Sequence, residues 1–259
     1  MNATGALALK LVLTPVLIGA ASLAGRRWGA AIGGWLIGIP FTSAPIALFL
    51  TLEAGPAFAA RAAAGIMAGG ISQAVFCLAY AWAARRWDWP QALVAASLGF
   101  GVSTAVLVVV VLPPVSFLIV VLITLVVALF LMPAAVRAKA AAQDFPRWDL
   151  PARMVVATVF VLALTAAAPL LGARLAGLLA PFPLFGAVLA AFAQRMQGPG
   201  AAAGVMRGLL LGLFAFATFF LVLATQLERD VAVAFVAATA AALVVQAMSL
   251  ATGRRLGLA

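Results

Sequence analysis

The sequence predicts an all-α integral membrane protein of about nine transmembrane helices, built as two inverted-topology four-helix repeats joined by a linking helix. Three observations carry this expectation. The 259 residues are 67% apolar and 8% charged, against about 45–50% and about 25% in a soluble domain, so a water-facing surface cannot be covered. Charge-free stretches recur at the length of roughly 20 residues that a bilayer-spanning helix requires. The chain also matches itself when shifted by 143 residues, laying Gly29–Phe76 over Gly172–Phe219.

The first span is expected at 5–25. An apolar run ending in small residues resembles a signal peptide, but Lys10 sits inside the run rather than before it. The second and third spans run 30–52 and 57–84. The stretch Trp89–Val136 is long enough for two, and Pro113-Pro114 divides it into spans at 89–112 and 115–136. The remaining spans run 153–172, 174–194, 202–227 and 231–253. These runs do not alternate in polarity, as barrel strands would. The organisation that follows is a first membrane repeat at 1–112, a linking helix at 113–138, a cytoplasmic loop at 139–152 and a second repeat at 153–259.

Basic residues set the orientation. With the N-terminus outside and the C-terminus cytoplasmic, the inner loops and tail hold Arg26, Arg27, Arg85, Arg86, Arg137, Lys139, Arg147, Arg153, Arg195, Arg207, Arg254 and Arg255. The outer loops hold only Arg61, Arg174 and Arg229. Trp28, Trp87, Trp89 and Trp148 fall at helix ends on the inner side, as an interfacial belt requires. The net charge of +10 is thus a topology signal. Nucleic acid is not an expected partner, because no basic domain stands outside the spans.

Within the repeat, the two copies read Pro40…Gly55-Pro56…Gly65-x-x-x-Gly69 and Pro183…Gly198-Pro199…Gly208-x-x-x-Gly212. An odd number of crossings separates equivalent points, which places the second copy upside down. Inverted repeats with a midplane site at their interface are a recurring plan of secondary transporters.

The second and seventh spans each carry proline at mid-length, Pro40 in one and Pro181 with Pro183 in the other. Proline removes a donor and frees carbonyls that must find other partners. Such discontinuous helices either bind a polar ligand through their freed backbone or are ordinary kinks. Thr42 and Ser43 in the second span and Gln73 in the third lie at similar depth. A buried amide needs hydrogen bonds, so it serves as interhelical glue or as a solute contact. The candidate solute-binding residues are Pro40, Thr42, Ser43, Gln73, Pro181 and Pro183. The glycines Gly65, Gly69, Gly208 and Gly212 are packing positions, suggesting that the third and eighth spans pack tightly, against each other about the pseudo-dyad.

The chain has no histidine and one cysteine, Cys77, and its carboxylates lie at helix ends or in loops. No catalytic or metal-binding residue and no cofactor is expected, and no enzyme. An embedded carboxylate for proton relay is missing as well.

The segment Ala176-Gly-Leu-Leu-Ala-Pro-Phe-Pro-Leu-Phe, followed by Gly198-Pro199 and an Ala/Gly-rich helix, resembles the small bacterial inner-membrane proteins called GlpM-like. Gly34-Trp-Leu-Ile-Gly-Ile-Pro-Phe-Thr-Ser in the first half is similar. The resemblance covers roughly fifty residues per half. It implies a fused two-copy relative in a bacterial inner membrane, with a hint of envelope metabolites and no functional residue to carry over. The expected function is a small secondary transporter or exporter of a polar or amphiphilic solute. The alternatives are a non-transporting scaffold or accessory subunit, or a lipid flippase. Expected partners are membrane lipids, the solute and a second copy of the chain.

Overall fold

The computed structural model describes residues 43–133 and 148–255, together with 11, 12, 15, 16, 23, 35 and 40. The first predicted span, most of the second before Ser43, and Thr42 lie outside the described residues. Eight helices follow in order: α1 (Ser43–Ala54), α2 (Pro56–Ala83), α3 (Trp89–Val109), α4 (Pro114–Leu131), α5 (Asp149–Leu179), α6 (Leu184–Gln197), α7 (Pro199–Gln226) and α8 (Val231–Arg255).

Proline starts several of these helices because its fixed φ suits the first turn, where no N–H partner is needed. Pro56, Pro90, Pro114 and Pro199 each sit in such a position. Asp88 caps α3 through a reciprocal box with Gln91. Gly55 and Gly198 precede α2 and α7 with φ of 87° and 89°. The two helices have the same length, 28 residues. At 1.5 Å per residue each is about 42 Å long, more than the hydrocarbon core of about 30 Å.

Five described helices, α2, α3, α4, α7 and α8, are long and apolar enough to cross a membrane. A sixth crossing is added if Pro169–Leu179 and Leu184–Gln197 form one bent span. The molecule is thus a multi-pass helical membrane protein. The predicted boundary between the sixth and seventh spans falls at Gly172, whose φ of 76° interrupts α5.

α2 and α7 form the centre and pack against one another, with α3, α4, α5 and α8 around them. Two of the peripheral helices, α3 and α8, turn mostly small residues inward and large aliphatic ones outward. On α3 the inner row is Ala92, Ala96, Phe100 and Thr104, while Val94, Leu98, Val102 and Val106 are exposed. On α8, Ala234, Ala238, Ala242 and Gln246 face in, while Val233, Val236 and Leu243 face out. Small inward residues bring helix backbones close, and aliphatic outer faces suit lipid. The Gly55-Pro56 turn begins α2, whereas Pro199 lies beside Ala84 and Trp87 just past its end. The two Gly-Pro turns therefore occupy opposite ends of the bundle.

Two arginines differ from their expected place in loops. Arg207 lies within α7, buried, and donates to the Pro133 carbonyl at 2.6 Å. Arg174 lies within α5 and donates to the carbonyls of Leu107 and Val110. Both satisfy backbone acceptors at or just beyond a helix C-terminus, where a cation also meets the negative end of the dipole. Their charge is spent inside the fold.

Candidate functional site

The helix following Gly172 stops at Leu179 and resumes at Leu184, bent by 44°. Pro181 and Pro183 cause the break, because neither can donate into a helical ladder. In an unbroken helix the Leu184 N–H would bond the Ala180 carbonyl. Here it bonds Phe182 O at 2.8 Å instead, and the freed Ala180 carbonyl accepts from the Ser43 hydroxyl at 3.3 Å. Ser43 opens α1, and one turn earlier the non-helical Pro40 accepts from the Ala44 N–H at 2.8 Å. The start of α1 thus touches the break between α5 and α6, as expected where a neighbouring helix satisfies a carbonyl that proline has freed.

α2 forms the wall behind this junction. A Cβ at Gly65 would meet the Arg174 carbonyl at 2.9 Å and the Gly177 Cα at 3.2 Å. A Cβ at Gly69 would run into the Pro181 ring. One turn on is Gln73, and after it Phe76, which meets the Phe182 ring edge-on at 5.9 Å. Phe182 is also held edge-on by Phe100 of α3 at 5.2 Å. Gln73 therefore lies on the face of α2 turned towards the break. It is buried, 6% exposed, and its Oε1 has no hydrogen-bond partner.

Among the sequence-predicted site residues, Ser43 and Pro181 are brought to one junction, with Gln73 on the adjoining wall and buried Pro183 preceding α6. Pro40 sits one turn before Ser43. Thr42 lies outside the described residues. A Cβ at Gly65 or Gly69 would meet the end of α5 and the break rather than α7. Contact between α2 and α7 runs through neighbouring positions; a Cβ at Gly70 would sit 4.0 Å from Phe216. Gly208 and Gly212 are buried on α7.

Other polar residues are structural ties. Thr104 donates to Ser72 at 3.0 Å, joining α2 and α3. Gln246 donates to the Trp35 carbonyl at 2.9 Å, and the Trp35 indole donates to Ser249 at 3.1 Å. Gln194 near the end of α6 accepts from Tyr80 at 3.0 Å and donates to the Trp87 carbonyl at 2.8 Å. That last set fastens α6 to the end of α2 and had no marker in the sequence beyond the polarity of Gln194.

A cavity of about 340 Å³ opens from the break. Phe182 and Leu184 line its inner end, and α6 contributes Ala187, Val188, Ala191, Phe192 and Arg195 along one face. α3 supplies Trp89, Leu93 and Ser97 opposite, and Trp148 stands at the outer end with its ring 5.9 Å from Phe192. The lining is apolar except for Ser97, the indole N–H groups and Arg195. Sequence reading missed this site because residues 89–97 and 184–195 become neighbours only through the fold. Comparison with known protein families, with curated proteins and with solved structures finds no match.

Proposed function

We propose that this chain is a small secondary transporter or exporter of a polar or amphiphilic small solute, working by alternating access between two inverted repeats. The observation that carries the reading is the broken helix at 180–183, whose freed carbonyl meets Ser43 at the start of α1 and whose break opens into a cavity. Discontinuous helices meeting near mid-membrane are where such transporters hold their solutes. Gln73, with an unpaired buried oxygen beside the break, supplies a polar contact that a solute or water would satisfy.

The repeat reading is supported by three agreements at the offset of 143. Gly55 and Gly198 share a left-handed φ, α2 and α7 share their length, and α1 and α6 end at equivalent residues. The opposite placement of the two Gly-Pro turns favours inversion. The basic loops favour an N-terminus outside and a C-terminus in the cytoplasm. Because the cavity is mostly apolar and reaches towards the helix ends that carry Trp89 and Trp148, it favours an amphiphilic solute over a strongly hydrated one.

The test is uptake of a panel of radiolabelled polar solutes and short-chain amphiphiles into proteoliposomes. The expected result is faster entry of at least one compound than in protein-free vesicles. Flux should fall about tenfold or more in a Ser43→Ala/Gln73→Ala variant, as for loss of one or two buried polar contacts. Equal flux in the variant would remove the proposed site.

A further inference from the structure

We propose that the cavity between α3 and α6 is the binding slot for a single-chain anionic amphiphile, its carboxylate at Arg195 and its tail ending at the break. The proposal deepens the transport reading and rests on it for the slot's role; binding itself can be measured separately.

The slot has direction. The α6 residues that line it recur at three- and four-residue intervals from Leu184 to Arg195, a single face of a helix. Eleven residues at 1.5 Å each make it about 16 Å long. That is about half the hydrocarbon thickness of about 30 Å, enough to lead from an interface towards the middle of the bilayer. Phe182 and Leu184 line the inner end, and the walls between are alanine, valine, leucine and phenylalanine with the single hydroxyl of Ser97. An acyl tail is the ligand that gains from such walls, through apolar area removed from water. A slot of about 340 Å³ between one face of α6 and one row of α3 accommodates one chain rather than the pair carried by a phospholipid.

The mouth selects charge. Arg195 lines the slot and has no hydrogen-bond or ion-pair partner among the described residues. Trp89 is the first residue of α3, whose N-terminus is capped by Asp88, and Arg195 lies in the last turn of α6, so the guanidinium is the group at the mouth that attracts an anion. Asp88 belongs to the adjoining polar pocket and is engaged in its own helix cap, and Asp149 follows Trp148 in the chain at the start of α5. Trp89 and Trp148 flank the opening as amphipathic rings do at headgroup depth.

Those two tryptophans also report occupancy. The protein in phosphatidylcholine nanodiscs is titrated with 2-bromododecanoate, whose bromine lies beside the headgroup and quenches indole fluorescence on contact. Saturable quenching is expected, stronger than with 12-bromododecanoate, whose bromine would sit near Phe182. Arg195→Gln should raise the half-saturation point about fivefold to tenfold, the range for a partly exposed charge-assisted contact. Arg195→Lys should lose less. Ala191→Phe should fill the slot and abolish the saturable phase; if it fails to fold, the Arg195 variants decide. Equal binding of 2-bromododecanol, or an unchanged Arg195→Gln titration, overturns the proposal. So does preferential saturable quenching by a brominated phosphatidylglycerol, which would make a two-chain lipid the occupant. Saturable binding that depends on Arg195 without any flux of the same compound would leave the slot standing and sink the transport reading. Flux of another solute with no binding of the carboxylate would do the reverse.

Discussion

Glycine positions in this molecule divide into three physical situations, and each forecasts a different response to alanine. At Gly69 the missing side chain makes room for the Pro181 ring. Gly69→Ala must displace that ring or shift the break, an overpacking cost of about 1–3 kcal/mol. At Gly55 nothing lies within 4 Å, but φ is 87° and ψ 162°, a region essentially restricted to glycine, so Gly55→Ala costs only backbone strain, about 1–3 kcal/mol. Gly101, in α3, has open space and an ordinary helical setting. Gly101→Ala should stabilise by about 0.5–1 kcal/mol through helix propensity alone. Thermal unfolding in detergent checks all three, with midpoints falling for the first two and rising for the third. The sequence marked Gly65 and Gly69 as packing positions through their four-residue spacing, and marked Gly55 by the proline after it. It could not say what Gly69 packs against, because a small residue records the need for space and leaves its neighbour unnamed.

At the level of helices, the ends are held by side chains from distant elements. Arg174 of α5 binds the carbonyls of Leu107 and Val110 at the end of α3. Removing it exposes acceptors that have no other helical partner. Arg174→Gln should speed amide hydrogen exchange at residues 108–112 by about tenfold or more, while α2 and α7 keep their protection. A general loss of protection would show that Arg174 holds the whole bundle instead. The break invites the opposite experiment. Pro181→Ala/Pro183→Ala restores two N–H donors and removes the clash that prevents a continuous helix. Exchange at 180–186 should slow as the ladder closes, and the Ser43 contact to Ala180 should be lost. Unchanged exchange there would mean that tertiary packing of Phe182 against Phe76 and Phe100 holds the bend, and the prolines only accommodate it. The long helices α2, α3, α4, α7 and α8 were legible, since apolar length and proline position dictate where a chain can enter and leave a bilayer. The slot was not, because Arg195 and the two tryptophans read from the sequence as topology markers. Only the approach of α3 to α6 places that boundary charge at the mouth of a cavity.

For the whole molecule the decisive property is which way the two proposed repeats face. α2 and α7 are equal in length and each begins after a glycine with φ near 90°, yet Pro56 starts one end of α2 and Pro199 lies beside its other end. A parallel duplication would place both Gly-Pro turns on one side of the membrane, and an inverted one must place them on opposite sides. The lone native cysteine, Cys77, is buried and can be replaced by alanine to give a silent background, at a cost of about 1 kcal/mol for the lost sulfur. Single cysteines are then introduced at the exposed positions Ala57 and Met196, near the two turns, and at Trp87 and Arg229 as references. In sealed vesicles of one orientation, a membrane-impermeant maleimide should label Ala57→Cys and Arg229→Cys from one side. It should reach Met196→Cys and Trp87→Cys only from the other. The positive-inside rule adds a sign to this pattern, since the second pair lies with Arg85, Arg86 and Arg195 and should face the cytoplasm. Labelling of Ala57→Cys and Met196→Cys from the same side would make the repeats parallel. The two halves could then no longer exchange roles by rocking about a fixed site, and alternating access would lose its structural basis.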